Sequence, residues 1–274
     1  MKKLVAGLLT AVALLAMSAC GADQKNTAQT SSSTKESAEV SSGASEQVYT
    51  DPKEMKESYD VVIIGAGGAG MAAAIEAKDA GLNPVILEKM PVAGGNTSKS
   101  SSGMNASETK FQKEEGIKDS NDAFYEETLK GGGGTNDKEM LRYFVDHSAD
   151  AVDWLDQNGI KLDNLTITGG MSEKRTHRPS DGSAIGGYLV EGLLNNVHER
   201  EIPIFVNADV TDIKKNGETV NEVTVHVQGE EPKEVTGKAI VVTTGGFGAS
   251  KEFIEKYRPD LADYITTNQE GSTG

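Results

Sequence analysis

Apolar residues follow a regular pattern from about residue 58 onward, and its first part predicts a strand, a turn, a helix and a second strand. The run Val61-Val62-Ile63-Ile64 is apolar throughout, which is typical of a strand buried on both faces. An Ala-rich stretch follows a cluster of glycines and favours a helix, and Val85-Ile86-Leu87 forms the second apolar run. We interpret this unit as the start of a parallel α/β sheet.

Helical periodicity returns at residues 123–130, strongly at 138–157, and again at 187–199. Asn158-Gly159 ends the second of these helices, which we predict as one continuous element. We expect His147 and Trp154, on or beside it, to pack at the boundary of the core rather than to bind a ligand. The apolar positions of the long helix fall on one face: Leu141, Phe144, Val145, Ala149, Val152 and Leu155.

Four short strand patterns follow these helices, with Asn216-Gly217 as the turn of a hairpin. The last strand runs into Gly245-Gly246-Phe247, as a buried parallel strand does when it brings its backbone to a ligand. Together, the predicted strands and helices indicate an α/β fold: a Rossmann-like parallel sheet, with an antiparallel β-meander inserted before the last strand. The predicted strands are 203–206, 210–214, 220–227 and 234–244.

The glycine cluster between the first strand and helix has the spacing of a dinucleotide-binding turn. Gly65 permits the tight turn, Gly67 lets the backbone approach a pyrophosphate, and Gly70 lets the helix pack closely on the strand. Glu88 ends the second strand, where it can accept a hydrogen bond from a ribose hydroxyl. The alternative is a glycine-rich turn in some other α/β protein.

The N-terminal region has the pattern of a secretory signal. Lys2 and Lys3 precede an apolar run that is too short to span a membrane, and Cys20 follows in a lipobox-like position. We expect residues 1–19 to be a lipoprotein signal peptide and Cys20 to carry the lipid; the alternative is an ordinary cleavage site with an incidental cysteine. Residues 20–55, rich in Ser and Thr, would form a disordered tether to a domain at 56–274, outside the cytoplasm and anchored to the cell membrane.

Composition narrows the possible partners. Cys20 is the only cysteine, so residues 21–274 offer no disulfide, no cysteine-bound iron–sulfur cluster and no Cys-x-x-Cys-His haem site, and electrons would have to come from an external donor. The formal charge is −15, and loss of the signal peptide would remove two lysines and no acid, giving −17. We therefore expect no nucleic acid partner.

Several motifs in one order resemble the soluble fumarate reductase and flavocytochrome c group of FAD-dependent oxidoreductases. That group includes urocanate reductases and is related to the flavoprotein subunits of succinate dehydrogenase. The resemblance runs from about residue 58 to the end and implies a Rossmann-like FAD-binding domain. It rests on the dinucleotide unit and on four clusters: Gly94-Gly95-Asn96-Thr97, Ser101-Ser102-Gly103-Met104-Asn105-Ala106, Thr176-His177-Arg178-Pro179 and Thr243-Thr244-Gly245-Gly246-Phe247.

The resemblance implies cofactor roles for individual residues. Ala69 and Glu88 would contact the pyrophosphate and adenosine ribose of FAD, and the backbone near Val210 would meet the adenine. A histidine binds FAD covalently in the succinate dehydrogenase relatives; Asn96 stands at that position, so FAD would be noncovalent. The remaining cofactor residues are Gly95, Thr97, Ser102 and Gly103 along the flavin, with Thr244 and Gly245 after the last strand; the family usually has Gly-Gly where this chain has Ser102-Gly103.

The activity implied is reduction of the C=C bond of an unsaturated carboxylate such as fumarate or urocanate. The flavin supplies the redox step, and the protein must hold the carboxylate and provide a proton donor. In the family these residues come later than anything present here, and the chain looks cut inside a motif near Gly274, so we assign no catalytic residue and no metal ligand. The alternatives are a catalytically inactive fragment or flavin-binding remnant, and an FAD dehydrogenase with an unrelated substrate. For Thr176-His177-Arg178-Pro179 we favour structural or flavin-adjacent work over catalysis.

Overall fold

A computed structural model describes residues 48–217 and 219–274 of the chain. Nine strands and seven helices are present in this part. The strands are β1 (Ser58–Ile64), β2 (Pro84–Leu87), β3 (Met104–Asn105), β4 (Asn164–Thr166), β5 (Thr176–Arg178), β6 (Ile204–Phe205), β7 (Ala208–Asn216), β8 (Thr219–Val227) and β9 (Lys233–Val242). The helices are α1 (Gly68–Asp79), α2 (Lys110–Glu114), α3 (Asn121–Gly131), α4 (Lys138–Asp146), α5 (Ser148–Gln157), α6 (Ile185–Glu199) and α7 (Lys251–Tyr257). Short 3-10 helices lie at Pro52–Glu54, Gly95–Lys99 and Pro259–Leu261.

The main sheet has six strands in the order β6-β2-β1-β9-β8-β7. Pairs β6–β2, β2–β1 and β1–β9 are parallel, whereas β8 pairs antiparallel with both β7 and β9. The predicted α/β fold with a parallel sheet and an antiparallel meander is therefore confirmed. The last strand, β9, belongs to both parts, since it is the third strand of the meander and also the parallel neighbour of β1.

The core lies on both faces of the sheet because β1 and β2 are apolar on both sides. One face, including Ile63 and Ile86, packs against Met71 and Ile75 of α1 and against apolar residues of α6. The other face, including Val62 and Phe205, packs against the inner residues of the meander. The carboxyl ends of β1 and β2 are thereby well buried, at Ile64 and Leu87.

A second, three-stranded sheet was not anticipated from the sequence. Its order is β3-β5-β4, with Met104 opposite His177 and Asn105 opposite Thr176. These strands are two or three residues long, too short to show a period of two in the sequence.

The prediction of one helix over residues 138–157 is wrong. The structure has α4 and α5, separated at His147, whose φ of −104° and ψ of 7° leave the helical region. Ser148 donates its hydroxyl to the carbonyl of Val145 at 2.8 Å, a local bond that competes with regular helix geometry. The apolar period continues through the break, so the sequence pattern did not reveal it, although α4 and α5 pack into different clusters.

The described structure includes residues 48–55, which precede the expected domain boundary at residue 56. Tyr49 packs against the core cluster beneath α1, and Met55 is buried on the other face of the sheet. The 3-10 helix Pro52–Glu54, capped by Asp51, joins them. The C-terminal end of the predicted tether is therefore part of the fold, and the rest of it, with the predicted signal and Cys20, lies outside the described residues. Across residues 48–217 and 219–274, no helix has the length and apolar character needed to cross a membrane.

Candidate functional site

A cleft lies where the carboxyl ends of β1, β2 and β9 meet, at the edge where ligands bind in parallel α/β sheets. It holds about 820 Å³ of empty space that opens to solvent. Its walls come from the glycine turn, the end of β2, the loop at residues 95–97, the start of β7, the residues after β9 and a segment at 269–274.

The glycine turn forms a cleft wall without side chains. Gly65 has a φ of +105°, and a Cβ there would lie 2.7 Å from the carbonyl oxygen of Thr243. A Cβ on Gly70 would lie 1.9 Å from the oxygen of Gly65. Thr243 fixes the turn from the end of β9, because its hydroxyl lies 2.8 Å from the carbonyl oxygen of Ile64 and 3.0 Å from that of Gly65.

The N-terminus of α1 faces the cleft with the partial positive charge of the helix dipole. Its N-cap is Gly67, which has no side chain to cap the helix. Thr97, from the opposite loop, accepts a hydrogen bond from the Gly68 N–H at 3.0 Å. Gly67, Gly68 and Ala69 all line the cleft, so its floor is backbone suited to an anion.

Glu88 ends β2 and is almost fully buried at the cleft wall. One carboxylate oxygen accepts the N–H of Ala66 at 2.8 Å, and the other accepts the N–H of Met90 at 2.8 Å. Each oxygen has more than one lone pair, so the carboxylate can still accept from a ligand hydroxyl.

The loop opposite the glycine turn is shaped by two glycines with positive φ, Gly94 at +118° and Gly95 at +50°. The side chain of Asn96 bridges to the segment at 268–272. Its amide nitrogen donates to Asn268 Oδ1 at 2.5 Å and to Ser272 Oγ at 2.9 Å, and its oxygen accepts the N–H of Gln269 at 2.8 Å.

Most of the residues predicted from the sequence meet in this one cleft. Gly70 lies just below it and acts through packing against Gly65. Ser102 and Gly103 are absent from its lining, and their contact with a flavin stays a prediction. The predicted residues that line the cleft are Gly65, Gly67, Ala69, Glu88, Gly95, Asn96, Thr97, Val210, Thr244 and Gly245.

Gly103 has a packing reason to be glycine. A Cβ there would lie 2.3 Å from the carbonyl oxygen of His177, because β5 runs directly against this position. The neighbouring Thr176 and His177 are buried in the small sheet, and Arg178 donates to the carbonyl of Ser183. The structure thus gives Thr176-His177-Arg178-Pro179 a structural place in the small sheet.

Sequence reasoning missed part of the cleft lining. Lys89 follows Glu88 and donates its ammonium group to the Thr273 hydroxyl. Gln269, Gly271 and Ser272 also line the cleft, and Ser272 is buried. Lys89 could have been predicted as a cleft residue because it directly follows Glu88. The segment at 269–272 could not, because its contacts with Asn96 join residues more than 170 positions apart and leave no local pattern.

Over residues 48–217 and 219–274, no group of three or more His, Cys, Asp or Glu side chains could hold an ion.

The chain belongs to the FAD binding domain family, whose match covers residues 60–274. It is 51% identical over 218 residues to the NADH:fumarate oxidoreductase of Klebsiella pneumoniae, covering 80% of this chain and 24% of that protein. It is 36% identical over 238 residues to the fumarate reductase (cytochrome) of Shewanella frigidimarina, covering 86% of this chain and 42% of that one. The urocanate reductase of Eggerthella lenta is 33% identical over 231 residues, which is 81% of this chain and 38% of that enzyme. Within its family, the chain is therefore a fumarate reductase-like flavoprotein.

Solved structures agree with this placement. The open conformation of a flavocytochrome c3 fumarate reductase superposes with a TM-score of 0.77 at 35% identity, covering 81% of this chain and 39% of that one. A 3-ketosteroid-Δ4-(5α)-dehydrogenase from Rhodococcus jostii has a TM-score of 0.72 at 21% identity, which shows the shared fold alone. The chain thus spans between about a quarter and two fifths of the length of the three relatives named above.

The cleft fits the FAD that the family binds. The glycine turn and the N-terminus of α1, whose N-cap residue Gly67 has no side chain, form a cradle of backbone, and a Cβ on Gly65 would disrupt the turn. Glu88 offers a carboxylate at the end of β2, as a ribose hydroxyl requires. The Ala208–Val210 backbone forms the wall on the Glu88 side, where Ala208 N–H donates to the Glu88 carbonyl at 2.9 Å.

Proposed function

We propose that this chain is the FAD-binding portion of a flavoprotein that reduces the C=C bond of an unsaturated carboxylate such as fumarate or urocanate. The observation that carries the proposal is the meeting of the glycine turn, Glu88, Asn96 and Thr244 in one cleft. The relatives named fumarate reductase and urocanate reductase support the substrate class. FAD, when bound, would accept electrons from an external donor and deliver hydride to one carbon of the alkene.

The residues of this chain would bind and orient the cofactor. The N–H groups at the start of α1 would hold the pyrophosphate, and Glu88 would hold the adenosine ribose. Thr97 would support this arrangement from the opposite loop, since it already accepts the Gly68 N–H. Binding would be noncovalent, because Asn96 carries an amide that lacks the nucleophilic ring nitrogen of histidine and is already hydrogen-bonded to the segment at 268–272.

The first experiment is the visible absorption spectrum of residues 20–274 with Cys20→Ser, before and after incubation with FAD and desalting. We expect retained flavin absorbance that is released by denaturation. A folded protein that takes up no FAD would contradict the binding proposal, and flavin that stays with the denatured chain would contradict noncovalent attachment.

The substrate is tested with the FAD-loaded protein and a reduced viologen dye as electron donor. Dye oxidation that depends on fumarate or urocanate would support a reductase of that acid. Protein that retains FAD but oxidises no dye with either acid is the result that we expect of the FAD-binding portion on its own, because no residue of this chain is assigned to hold the carboxylate or to donate the proton.

We also propose that the mature protein is tethered to the outer side of the cell membrane through a lipid on Cys20. The apolar run behind Lys2 and Lys3, and the position of the single cysteine, support this. Metabolic labelling with a radioactive fatty acid should label the wild-type chain and leave Cys20→Ser unlabelled. Equal labelling of both, or of neither, would contradict the lipid anchor.

A further inference from the structure

The described chain begins with a short segment that lies along the outer edge of the main sheet. We call residues 49–51 the N-terminal strap. Thr50 donates its N–H to the carbonyl of Ile204 at 2.9 Å, and Ile204 N–H donates to the Thr50 hydroxyl at 3.1 Å. Because β6 is the edge strand, the strap satisfies backbone groups that would otherwise be unpaired.

The side chain of Tyr49 joins the strap to the loop that lines the cleft. Its phenol oxygen accepts the N–H of Ala93 at 2.8 Å. The next residue, Gly94, donates its N–H to the carbonyl of Ala66 in the glycine turn at 2.9 Å. Two successive backbone N–H groups therefore anchor this loop: that of Ala93 donates to the strap, and that of Gly94 donates to the glycine turn.

Two glycines at the start of this loop make its entry into the 3-10 helix at Gly95–Lys99 depend on such anchors. Gly94 and Gly95 both have positive φ, which glycine adopts without a steric penalty. The backbone of a glycine is also less restricted than that of any other residue, so it does little to fix one conformation. Directly after them, Asn96 and Thr97 line the cleft. Ala93 is buried, so its N–H has no ready replacement for the Tyr49 oxygen in solvent.

The phenol also lies within electrostatic reach of the cleft acid. Burial raises the pKa of Tyr49, the hydrogen bond from Ala93 lowers it, and the nearby carboxylate of Glu88 raises it further. Tyr49 thus stays neutral at physiological pH, and its oxygen remains a hydrogen-bond acceptor for the loop.

We propose that Tyr49 is a positioning residue of the cofactor site, which holds residues 93–97 in the shape that binds FAD. The proposal rests on the proposed FAD binding and goes beyond it, because Tyr49 lies outside the cleft lining and outside every cofactor motif. It makes Tyr49 a part of the site's support although this residue precedes the dinucleotide-binding unit in sequence.

The test compares Tyr49→Phe with two matched variants. Tyr59→Phe removes the same hydroxyl from another tyrosine, whose oxygen accepts the Lys56 N–H at 2.9 Å near the start of β1, away from the cleft. Thr50→Val removes the hydroxyl that accepts Ile204 N–H but leaves the loop contact intact. For each purified protein we would measure the Kd of FAD by flavin fluorescence and the unfolding midpoint without FAD.

We expect Tyr49→Phe to raise the Kd of FAD about tenfold, which corresponds to about 1.4 kcal/mol. Tyr59→Phe and Thr50→Val should lower the unfolding midpoint without a comparable change in Kd. An unchanged Kd in Tyr49→Phe, or an equal rise in all three variants, would overturn the proposal.

A second measurement separates this proposal from FAD binding itself. Without FAD, hydrogen exchange of the amides at 93–97 should be faster in Tyr49→Phe than in wild type and Tyr59→Phe. If the wild-type protein bound no FAD, the proposed function would fail, and faster exchange would still establish the strap-to-loop link. Equal exchange in all three proteins would refute that link.

Discussion

Glu88 accepts a hydrogen bond from the backbone N–H of Ala66 at 2.8 Å, and this contact joins the end of β2 to the glycine turn that follows β1. The second carboxylate oxygen accepts the N–H of Met90 at 2.8 Å. The acid that the sequence assigns to a ribose therefore also has a structural task. It accepts one buried and one partly buried backbone N–H, and so connects the glycine turn to the residues that follow β2.

Glu88→Gln is expected to weaken both the fold and cofactor binding. The amide replaces one acceptor by a donor, which leaves an N–H of Ala66 or Met90 without a partner, at a cost of about 1–3 kcal/mol. Urea unfolding and FAD titration would measure the two effects. Glu234→Gln, an exposed residue of β9 paired with Lys214, is the control and should leave FAD binding unchanged. Wild-type FAD affinity and stability in Glu88→Gln would contradict the role described here.

Thr243→Val is expected to lower FAD affinity more than it lowers stability. The Thr243 hydroxyl shares its one proton between the carbonyls of Ile64 and Gly65, and its loss should cost about 0.5–1.5 kcal/mol. Thr236→Val is a matched control on the same strand, since the Thr236 hydroxyl donates to the Glu57 carbonyl at 3.1 Å, away from the cleft. The prediction fails if both variants bind FAD equally well in the same titration.

Gly70→Ala should prevent folding of the dinucleotide-binding unit. A Cβ would lie 1.9 Å from a backbone oxygen of the turn, and neither group can move aside without separating α1 from β1. Gly187→Ala provides the contrast, because it lies in α6 with no atom within 4 Å of an added Cβ. There alanine should add about 0.5–1 kcal/mol to the free energy of unfolding. Soluble yield and urea midpoints distinguish the two outcomes, and a well-folded Gly70→Ala would be contrary evidence.

Arg175→Met should be among the most destabilising substitutions outside the cleft. Its guanidinium is fully buried and bound to Asp119 through two hydrogen bonds and to Glu127 through a third. Removing the cation leaves a buried carboxylate unpaired, at a cost of about 3–5 kcal/mol. Arg142→Met breaks an exposed ion pair with Asp122 and Asp146, and its effect in the same unfolding assay should be much smaller. Similar losses in the two variants would disprove this ranking.

The stability of the small sheet should fall in mild acid because of His177. Its Nδ1 lies 2.7 Å from the carbonyl of Arg175, which can only accept, so Nδ1 carries the proton and Nε2 accepts from Thr109 at 2.8 Å. Burial lowers the pKa of His177 below the ordinary value of about 6.5. In mild acid the unfolded chain therefore binds a proton at His177 that the folded chain does not bind. The free energy of unfolding falls as the pH drops below about 6.5.

The measurement is the free energy of unfolding at pH 7.5 and at pH 5.5 in wild type, His177→Gln and His147→Gln. The loss between the two values should be smaller in His177→Gln than in wild type. His147 is exposed and lies outside the small sheet, so His147→Gln is the control for replacing an imidazole elsewhere in the chain. An undiminished loss in His177→Gln would contradict a neutral buried imidazole.

The parts of this fold that the sequence predicted well are those whose cause is local. The glycine turn, Glu88 and the apolar runs of β1 and β9 each follow from residues that are neighbours in the chain. The break at His147 was missed because it leaves the apolar period unchanged; the Ser148 hydroxyl, which donates to the Val145 carbonyl beside it, is too common a feature to predict a break. The strap at Tyr49 and the bridge from Asn96 to Ser272 were missed because each joins segments that only the folded sheet brings together.

The contact between Thr243 and Gly65 also limits which parts of the chain can fold while it is still being synthesised. Thr243 bonds to Gly65 across 178 positions of sequence, so the glycine turn emerges from the ribosome long before its support exists. At about 5–20 residues per second, that interval lasts roughly 10–35 s. During this interval β9 has not yet been synthesised, so one edge of β1 is unpaired. An unpaired edge of an apolar strand can pair with other nascent chains. We therefore expect the yield of soluble protein in a cell to respond to translation speed and chaperone supply, even where the finished domain is stable.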